Sequence, residues 1–522
     1  MDDIVLPKWI VCYVLAGIAL VFVSITLINA SHYACLSCKS IVFCIGLLAI
    51  SLSMYGDRYF QCVFIKTVFF LSVFLLFRTY RDSKKIVESL KNALIAGSLY
   101  SLFVIFCFRQ STNVLMAGTY DNSAGLAFTL SVTAVFLFQD CKRNKNSFYF
   151  ILKMMIVTML IITIFISGSR TGVIAVCVSG VVILCSRHRY IISVVCFFIV
   201  LTLMLFKPAS TSGRALIYTV SVSMLDSGKN ILFGRGSGGF RRSYMTYQAR
   251  HLRCETENKK MLADNVKHPL NEILFFMVNY GLIRFCFLAV LLYMCFRSIY
   301  SGTFVIGLSA VIIIFTIFSY PFSYPLTWIV TAYALANITD NIPIKNMESL
   351  KPMSLVMFIA GIGIISYSFL YAKWQKEWEN AYEDVWIAQY PSALQEYERL
   401  SKSVFVNPEF HYNYAAGLLQ AGRSRQALVE LDKCDIIDYD SMLLRGEIYA
   451  EEKNYDKALA CFRQAAAMCP NRFVPLFAIY QIYEKTNDVK AKENIANKIL
   501  TKQIKIPSVR INDIINYIKQ TR

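Results

Sequence analysis

Histidine is scarce in this sequence, five in 522 residues. No group of histidines, cysteines and carboxylates has metal-ligand spacing, so no metal centre and no cofactor are expected. Other signatures are missing too. Without a Walker pattern, or a GxGxxG after a strand, nucleotide binding is not expected. No Ser/His/Asp arrangement supports serine-type catalysis, and no DxD-like carboxylate pair stands at an outer span end. A secretory leader is also lacking: Met1–Lys8 is short and acidic at its start, and Trp9–Ile28 reads as a permanent anchor. Charge is thin at 17% of residues, whereas 56% are hydrophobic and mean hydropathy is positive. That balance excludes an ordinary soluble protein of this size and points to a polytopic membrane protein.

Cysteine is not scarce. Most of the 16 (Cys12, Cys44, Cys62, Cys107, Cys177, Cys196, Cys286 and Cys295 among them) lie in apolar runs, where they act as small hydrophobes. Cys35 and Cys38 form a lone CxxC with no second pair.

Apolar segments long enough to cross, or nearly cross, a bilayer of ~30 Å recur at 9–28, 40–55, 60–77, 92–108, 123–138, 148–167, 171–186, 189–206, 272–296, 302–318, 322–338 and 354–371. About twelve spans are expected, in an all-α architecture. Alternate short loops are basic: Arg78, Arg81, Lys84, Lys85 and Lys91; Lys142, Arg143 and Lys145; Arg187 and Arg189; Lys345 and Lys351. By the positive-inside rule these face the cytoplasm, which puts the long hydrophilic segment 207–271 and the C-terminal region on the outer side. Residues 1–372 are thus expected to form the membrane domain, with 207–271 as its large loop, and 373–522 a second domain.

The net charge of +19 sits in the membrane part, because residues 373–522 carry 21 Lys+Arg against 20 Asp+Glu. The long loop is itself basic, with Lys207, Arg214, Lys229, Arg235, Arg241, Arg242, Arg250, Arg253, Lys259, Lys260 and Lys267. Topology does not explain that, and anion binding is one alternative.

The C-terminal region changes to polar, helix-forming sequence. Gly446, Tyr449, Ala458, Phe462, Ala465 and Pro470 fall at tetratricopeptide offsets, in which small residues let two helices approach and an aromatic fills the gap. Looser copies flank them, with Ala427 about 31 residues before Ala458, so a small α-solenoid is expected; a plain helical bundle is the alternative.

Four stretches gather polar groups where a membrane-surface site would need them. In GTYDNSAGLA, Asn122 opens a span, as a helix cap or as a ligand. In SGSRTGVIA, Arg170 occupies a very short outer link between Gly168 and Gly172; it either snorkels or forks onto phosphate oxygens. From Arg214, Leu216, Ile217, Val220 and Met224 form an amphipathic pattern suited to an interfacial helix, followed by Arg235 in a Gly-rich turn. In KHPLNEILFFMVNYGLI, His268 stands at the rim of span 272–296, with Pro269 at the first helical position; it is an interfacial residue or a general base.

Together these stretches resemble the superfamily of O-antigen ligases, O-antigen polymerases and protein O-oligosaccharyltransferases. SGSRTGVIA looks like its Ser-Arg-Gly-type motif, GRALIY…FGRGSGGF its Gly-Arg-aromatic helix and Gly-rich turn, and HPLNEILFFMVNYGLI its His-Asn-x-x-Leu segment ending in Tyr-Gly-Leu/Ile. GTYDNSAGLA resembles an upstream Asn motif and FSYPL a late one. The match covers about residues 118–330. Pro269 stands where the family usually has Asn, with Asn271 two positions on, and Arg235 replaces a small apolar residue, making it an additional anion-binding candidate.

The resemblance implies a GT-C-like membrane fold and a metal-independent, inverting glycosyltransferase of the bacterial inner membrane, with its large loop and C-terminal domain periplasmic. A glycan would pass from undecaprenyl diphosphate to an acceptor hydroxyl on lipid A-core or protein Ser/Thr. Arg170 and Arg214 would grip the diphosphate, and His268 would activate the acceptor. Arg235, Asn122 and Asn271 would bind substrate. The tail would recruit an acceptor protein or another envelope factor; nucleic acid is not expected. Chain polymerisation is the alternative within the class. A flippase or envelope scaffold is the non-enzymatic one, disfavoured because most spans lack charges.

Overall fold

The computed structural model describes residues 5–28, 37–57, 59–81, 83–107, 117–143, 148–184, 208–296, 302–338, 351–403, 407 and 409–521. Among them every regular element is a helix and none is a strand. The chain divides into two compact units: residues 1–208, 270–276 and 283–372 form the first, and 209–269, 277–282 and 373–522 the second. The hydrophilic segment therefore groups with the tail, not with the membrane domain to which its sequence position assigned it.

Seven described helices, lying wholly or mostly in the first unit, are long and apolar enough to cross a membrane, and four shorter apolar helices accompany them. The expected span at 189–206 lies outside the described residues, as does Cys35. Phe69, Phe74, Phe128 and Phe315 are almost wholly buried in a shared core, while the outward faces stay apolar, as at Phe103, Phe106, Met155 and Phe165. Such a surface is suited to lipid.

The two ends of these helices differ chemically. At one end cations cap helix C-termini, where carbonyls lack intrahelical partners and the dipole is negative. Arg78, wholly buried, donates to the Ala336 carbonyl at 3.2 Å, Arg81 to Asn337 at 2.9 Å and Lys142 to Ile183 at 2.7 Å. Asp140 nearby pairs with Lys91 at 2.9 Å and Lys153 at 3.1 Å. Helices Ser123–Arg143 and Arg170–Leu184 run parallel: Lys142 meets Ile183 at this end, and a Cβ on Gly172 would meet Ala127 near the other.

The second unit holds helices Pro208–Ser223, Gly228–Phe233, Gly239–Leu252 and Glu257–Lys260 together with the tail. Leu216, Val220 and Met224, the apolar stripe that suggested an interfacial helix, are buried by protein, so that stripe is not available to lipid. In the tail, successive helices fold into hairpins. Ala388, Gly422, Lys453 and Asn487 each take a left-handed conformation between two helices, 34, 31 and 34 residues apart. At each one the following N–H reaches back to the carbonyl five residues earlier (Gln389 to Asp384, Arg423 to Leu418, Asn454 to Tyr449, Asp488 to Tyr483), which is a Schellman turn. Four repeats of one turn at that period make a solenoid of helical hairpins. Within the third hairpin a Cβ on Gly446 would collide with the Phe462 ring, so only glycine lets that aromatic fill the gap.

Candidate functional site

At the end of the first unit opposite the capping cations, the chain turns a corner, Tyr320–Pro325, between helices Thr303–Phe318 and Pro325–Ile338. Asn122 meets it. Its Oδ1 accepts from the Ala124 and Gly125 N–H groups at 2.8 and 2.9 Å, so it caps the Ser123–Arg143 helix. Its Nδ2 donates to the Tyr324 hydroxyl at 2.8 Å and to that of Tyr320. Tyr324 donates in turn to Asp121. Asn122 is thus both a cap and the link between two motifs 198 residues apart.

Sequence reasoning missed the groups that complete this corner. Trp9 donates to the Ser323 carbonyl at 2.9 Å, and Glu272 accepts from the Phe322 N–H at 3.1 Å. The Lys8 ammonium lies 4.1 Å from the Tyr120 ring centroid and Lys66 lies 4.8 Å from that of Trp9. The available signal was compositional: Lys66 interrupts an otherwise uncharged span, and ionisable residues there are costly without a partner or a task.

Arg170 stands at the same end as Asn122, opening the Arg170–Leu184 helix behind Ser169, whose hydroxyl accepts from the Gly172 N–H at 3.3 Å. Gly168 supplies the expected tight turn with φ 71°. A cation gains nothing from the positive end of a helix dipole, so guanidinium and helix end together favour an anion. Asn271 belongs to this unit as well. It caps the helix Glu272–Phe296, accepting from the Leu274 N–H at 2.9 Å. Pro269 is therefore not at the first helical position. The Asn side chain captures the helix start, and Leu270 before it is held left-handed at φ 56°, a conformation that costs energy outside glycine.

In the second unit the Gly-rich turn is a socket. The N–H groups of Arg235 and Gly236 donate to the Val278 and Asn279 carbonyls, both at 2.9 Å, and the Phe240 N–H donates to Asn279 Oδ1 at 2.9 Å. What the turn grips is a break in the Glu272–Phe296 helix, where Gly281 takes φ 79° and ψ 174°. A Cβ on Gly281 would lie 2.5 Å from the Gly234 nitrogen, and one on Gly234 would lie 2.5 Å from the Asn279 carbonyl carbon.

Arg235 braces this socket. It donates to the Met224 carbonyl at 2.8 Å, to Asp226 at 2.9 Å and to the Tyr247 hydroxyl at 2.6 Å. Hydrogen bonds from Tyr247 and Asn230, with Arg235 beside them, hold the Asp226 carboxyl down at about 2. A guanidinium held this way has a carboxylate already, which draws Arg235 away from the anion-binding role expected of it. Arg214 is half-buried in the Pro208–Ser223 helix, and His268 half-buried in the irregular stretch before Pro269; both belong to this second unit.

The basic character of the loop also finds its counterpart here. Arg242 grips Asp435 with two donors, the Nε bond at 2.8 Å, while Arg241 and Lys267 meet Glu409 at 2.9 and 3.3 Å. Burial acts to raise the Glu409 carboxyl, but Lys267 and Arg241 outweigh it and hold it below the ordinary range. Lys259 and Lys260 pair locally with Glu255 and Glu257. Among the described residues no group of three or more histidines, cysteines or carboxylates could hold a metal ion.

No curated protein matches this sequence. Residues 439–472 match the tetratricopeptide repeat, so the C-terminal region carries at least one such repeat, a scaffold for protein contacts.

Proposed function

We propose that the protein is a glycosyltransferase of the O-antigen ligase type. It moves a glycan from undecaprenyl diphosphate to an acceptor hydroxyl, on lipid A-core or on protein Ser/Thr, at the periplasmic face of a bacterial inner membrane. The observation that carries this reading is the gathering, at one end of the membrane unit, of Asn122, Arg170, Asn271 and the Tyr320–Pro325 corner. These come from four separate stretches of the resemblance, and the cation-capped end holds none of them.

In this reading Arg170 and Arg214 bind the diphosphate, and their charge stabilises the leaving group as the glycosidic bond breaks. His268 takes the proton of the acceptor hydroxyl, a role worth typically ~10²–10⁴-fold. Asn122 holds the tyrosine corner against the helix start. The repeat-bearing tail supports an acceptor that is a protein or presented by one.

The test is purified protein with lipid-linked glycan and acceptor, with and without chelator. Transfer should survive chelation and fall by about 10²-fold or more in His268→Ala. Full activity in that variant, or loss of transfer on chelation, would overturn the reading. Products that lengthen on the lipid carrier instead would assign the protein to polymerisation.

A further inference from the structure

The tail is usually the part of such a chain that would be credited with an outside partner, yet much of its polar surface already holds a segment of the same chain. All of the contacts lie within the second unit. Asn471, buried in the turn that ends the matched repeat, donates from one amide to two backbone carbonyls, Ala263 at 2.7 Å and Met261 at 3.2 Å. Lys505 reaches the same Ala263 carbonyl at 3.2 Å. Arg472 pairs with Asp264 at 3.0 Å, and Asn265 donates to Asp440 at 2.9 Å. Gln248, fully buried, ties the Asp264 carbonyl at 2.9 Å to that of Met468 at 2.8 Å. Lys267 meets Glu409 at 3.3 Å. Every residue from 263 to 265 is held by the tail or by Gln248, Lys267 adds a further hold, and the next residue is His268.

We infer that the tail is an internal scaffold whose ligand is this chain's own 239–267 segment, and that Asn471 and Glu409 are positioning residues for His268. A histidine in irregular backbone has no helix or strand to fix its ring, so something outside the segment must do it. A side-chain amide bridging the Met261 and Ala263 carbonyls does that for the backbone, because carbonyls in an irregular stretch have no ladder partner. The charge pair at Lys267 fastens the residue next to His268. Misplacing a catalytic group by about 1 Å costs on the order of 10²-fold, so a clamp five residues upstream is enough to govern the rate. The inference rests on the reading of His268 as a base for its kinetic consequence, but the clamp itself does not.

The test uses the full-length protein in detergent or nanodiscs. Asn471→Asp keeps the side-chain size and removes both donors; Glu409→Gln is a milder change at a more exposed position. Amide hydrogen exchange over 261–269 should accelerate in Asn471→Asp while the 439–468 helices stay protected. The kcat for transfer should fall about tenfold to a hundredfold, with KM for the lipid-linked glycan unchanged. In Glu409→Gln, which loosens the hold on Lys267, kcat should fall by less, again with KM unchanged. A purely structural role would reduce the yield of folded protein without lowering kcat in the fraction that folds. Unaltered exchange over 261–269 in folded Asn471→Asp would overturn the clamp. Altered exchange with an unaltered rate, where His268→Ala is inactive, would overturn the positioning role. Full activity in His268→Ala would instead remove the base reading, with the exchange result still deciding the clamp.

Discussion

The membrane unit and the loop-tail unit differ in how they hold their cations, the pairs of Lys91 and Lys153 with Asp140 in the first and the carbonyl bonds of Arg235 and Lys505 in the second apart. In the first, Arg78, Arg81 and Lys142 donate to backbone carbonyls at helix ends. In the second, Arg241, Arg242 and Lys267 meet carboxylates. The difference follows from what each unit has to offer. An apolar helical bundle has few carboxylates but many helix C-termini, each with unpaired carbonyls and a partial negative charge. A polar solenoid has acidic side chains at hand, and water to screen them. A cation capping carbonyls inside a bundle is not easily replaced, because removing it orphans buried acceptors. A cation on a half-exposed carboxylate leaves behind a group that water can solvate.

That contrast can be tested in order of expected effect. Gly281→Ala should be the most damaging change: the new Cβ would meet backbone at 2.5 Å and the residue would sit at φ 79°. Strain and overpacking together imply about 3 kcal/mol or more, read as lost monodisperse protein and a lower thermal midpoint in detergent. Arg78→Met should follow, at about 2–4 kcal/mol, since the Ala336 carbonyl loses its donor in a buried site. Were Arg78→Met milder than Arg242→Ala, the contrast between the units would be wrong. Tyr324→Phe should cost about 1–2 kcal/mol by removing the bonds to Asn122 and Asp121, and Asn122→Ala should add about 1 kcal/mol on top of it, since the helix cap and the bond to Tyr320 are still there to lose.

The pH effect is smaller and confined to the loop. The folded carboxyl of Asp226 sits at about 2, below its ordinary 3.8, so its contribution is present above about pH 4 and is lost as pH falls towards 2. Hydrogen exchange at 224–247 should therefore quicken over that interval, and Asp226→Asn should abolish the dependence. Smallest of all is Lys259→Ala, which removes a surface pair with Glu255 and should leave the thermal midpoint unchanged.

Helix positions in the membrane unit were legible because an apolar run is a local signal. The run at 272–296 matches its helix end to end, although not the break at Gly281, which depends on a turn some 45 residues upstream. The solenoid was legible through its period, and the 31-residue interval between Ala427 and Ala458 recurs between Gly422 and Lys453. Asn122 was legible as a cap; its tyrosine partners were not, since no local pattern links 122 to 320 and 324. The attachment of the loop to the tail was readable in principle. Asp432, Asp435, Asp438 and Asp440 form an acidic run, but averaging charge over the whole tail conceals it.

The interlock of Gly234 with Gly281 has one more consequence. Each glycine is closed in by the backbone of the other's segment, so neither position can accept a side chain even if its counterpart changes. Of the stretch between them, residues 253–259 are mostly exposed and not constrained in that way. Loop-closure cost grows only slowly with length, so insertions there should be absorbed far more readily than a single added methyl group at either glycine. The pair behaves as a rivet: an exposed part of the stretch it bounds can vary in length, and its two ends are not free to vary at all.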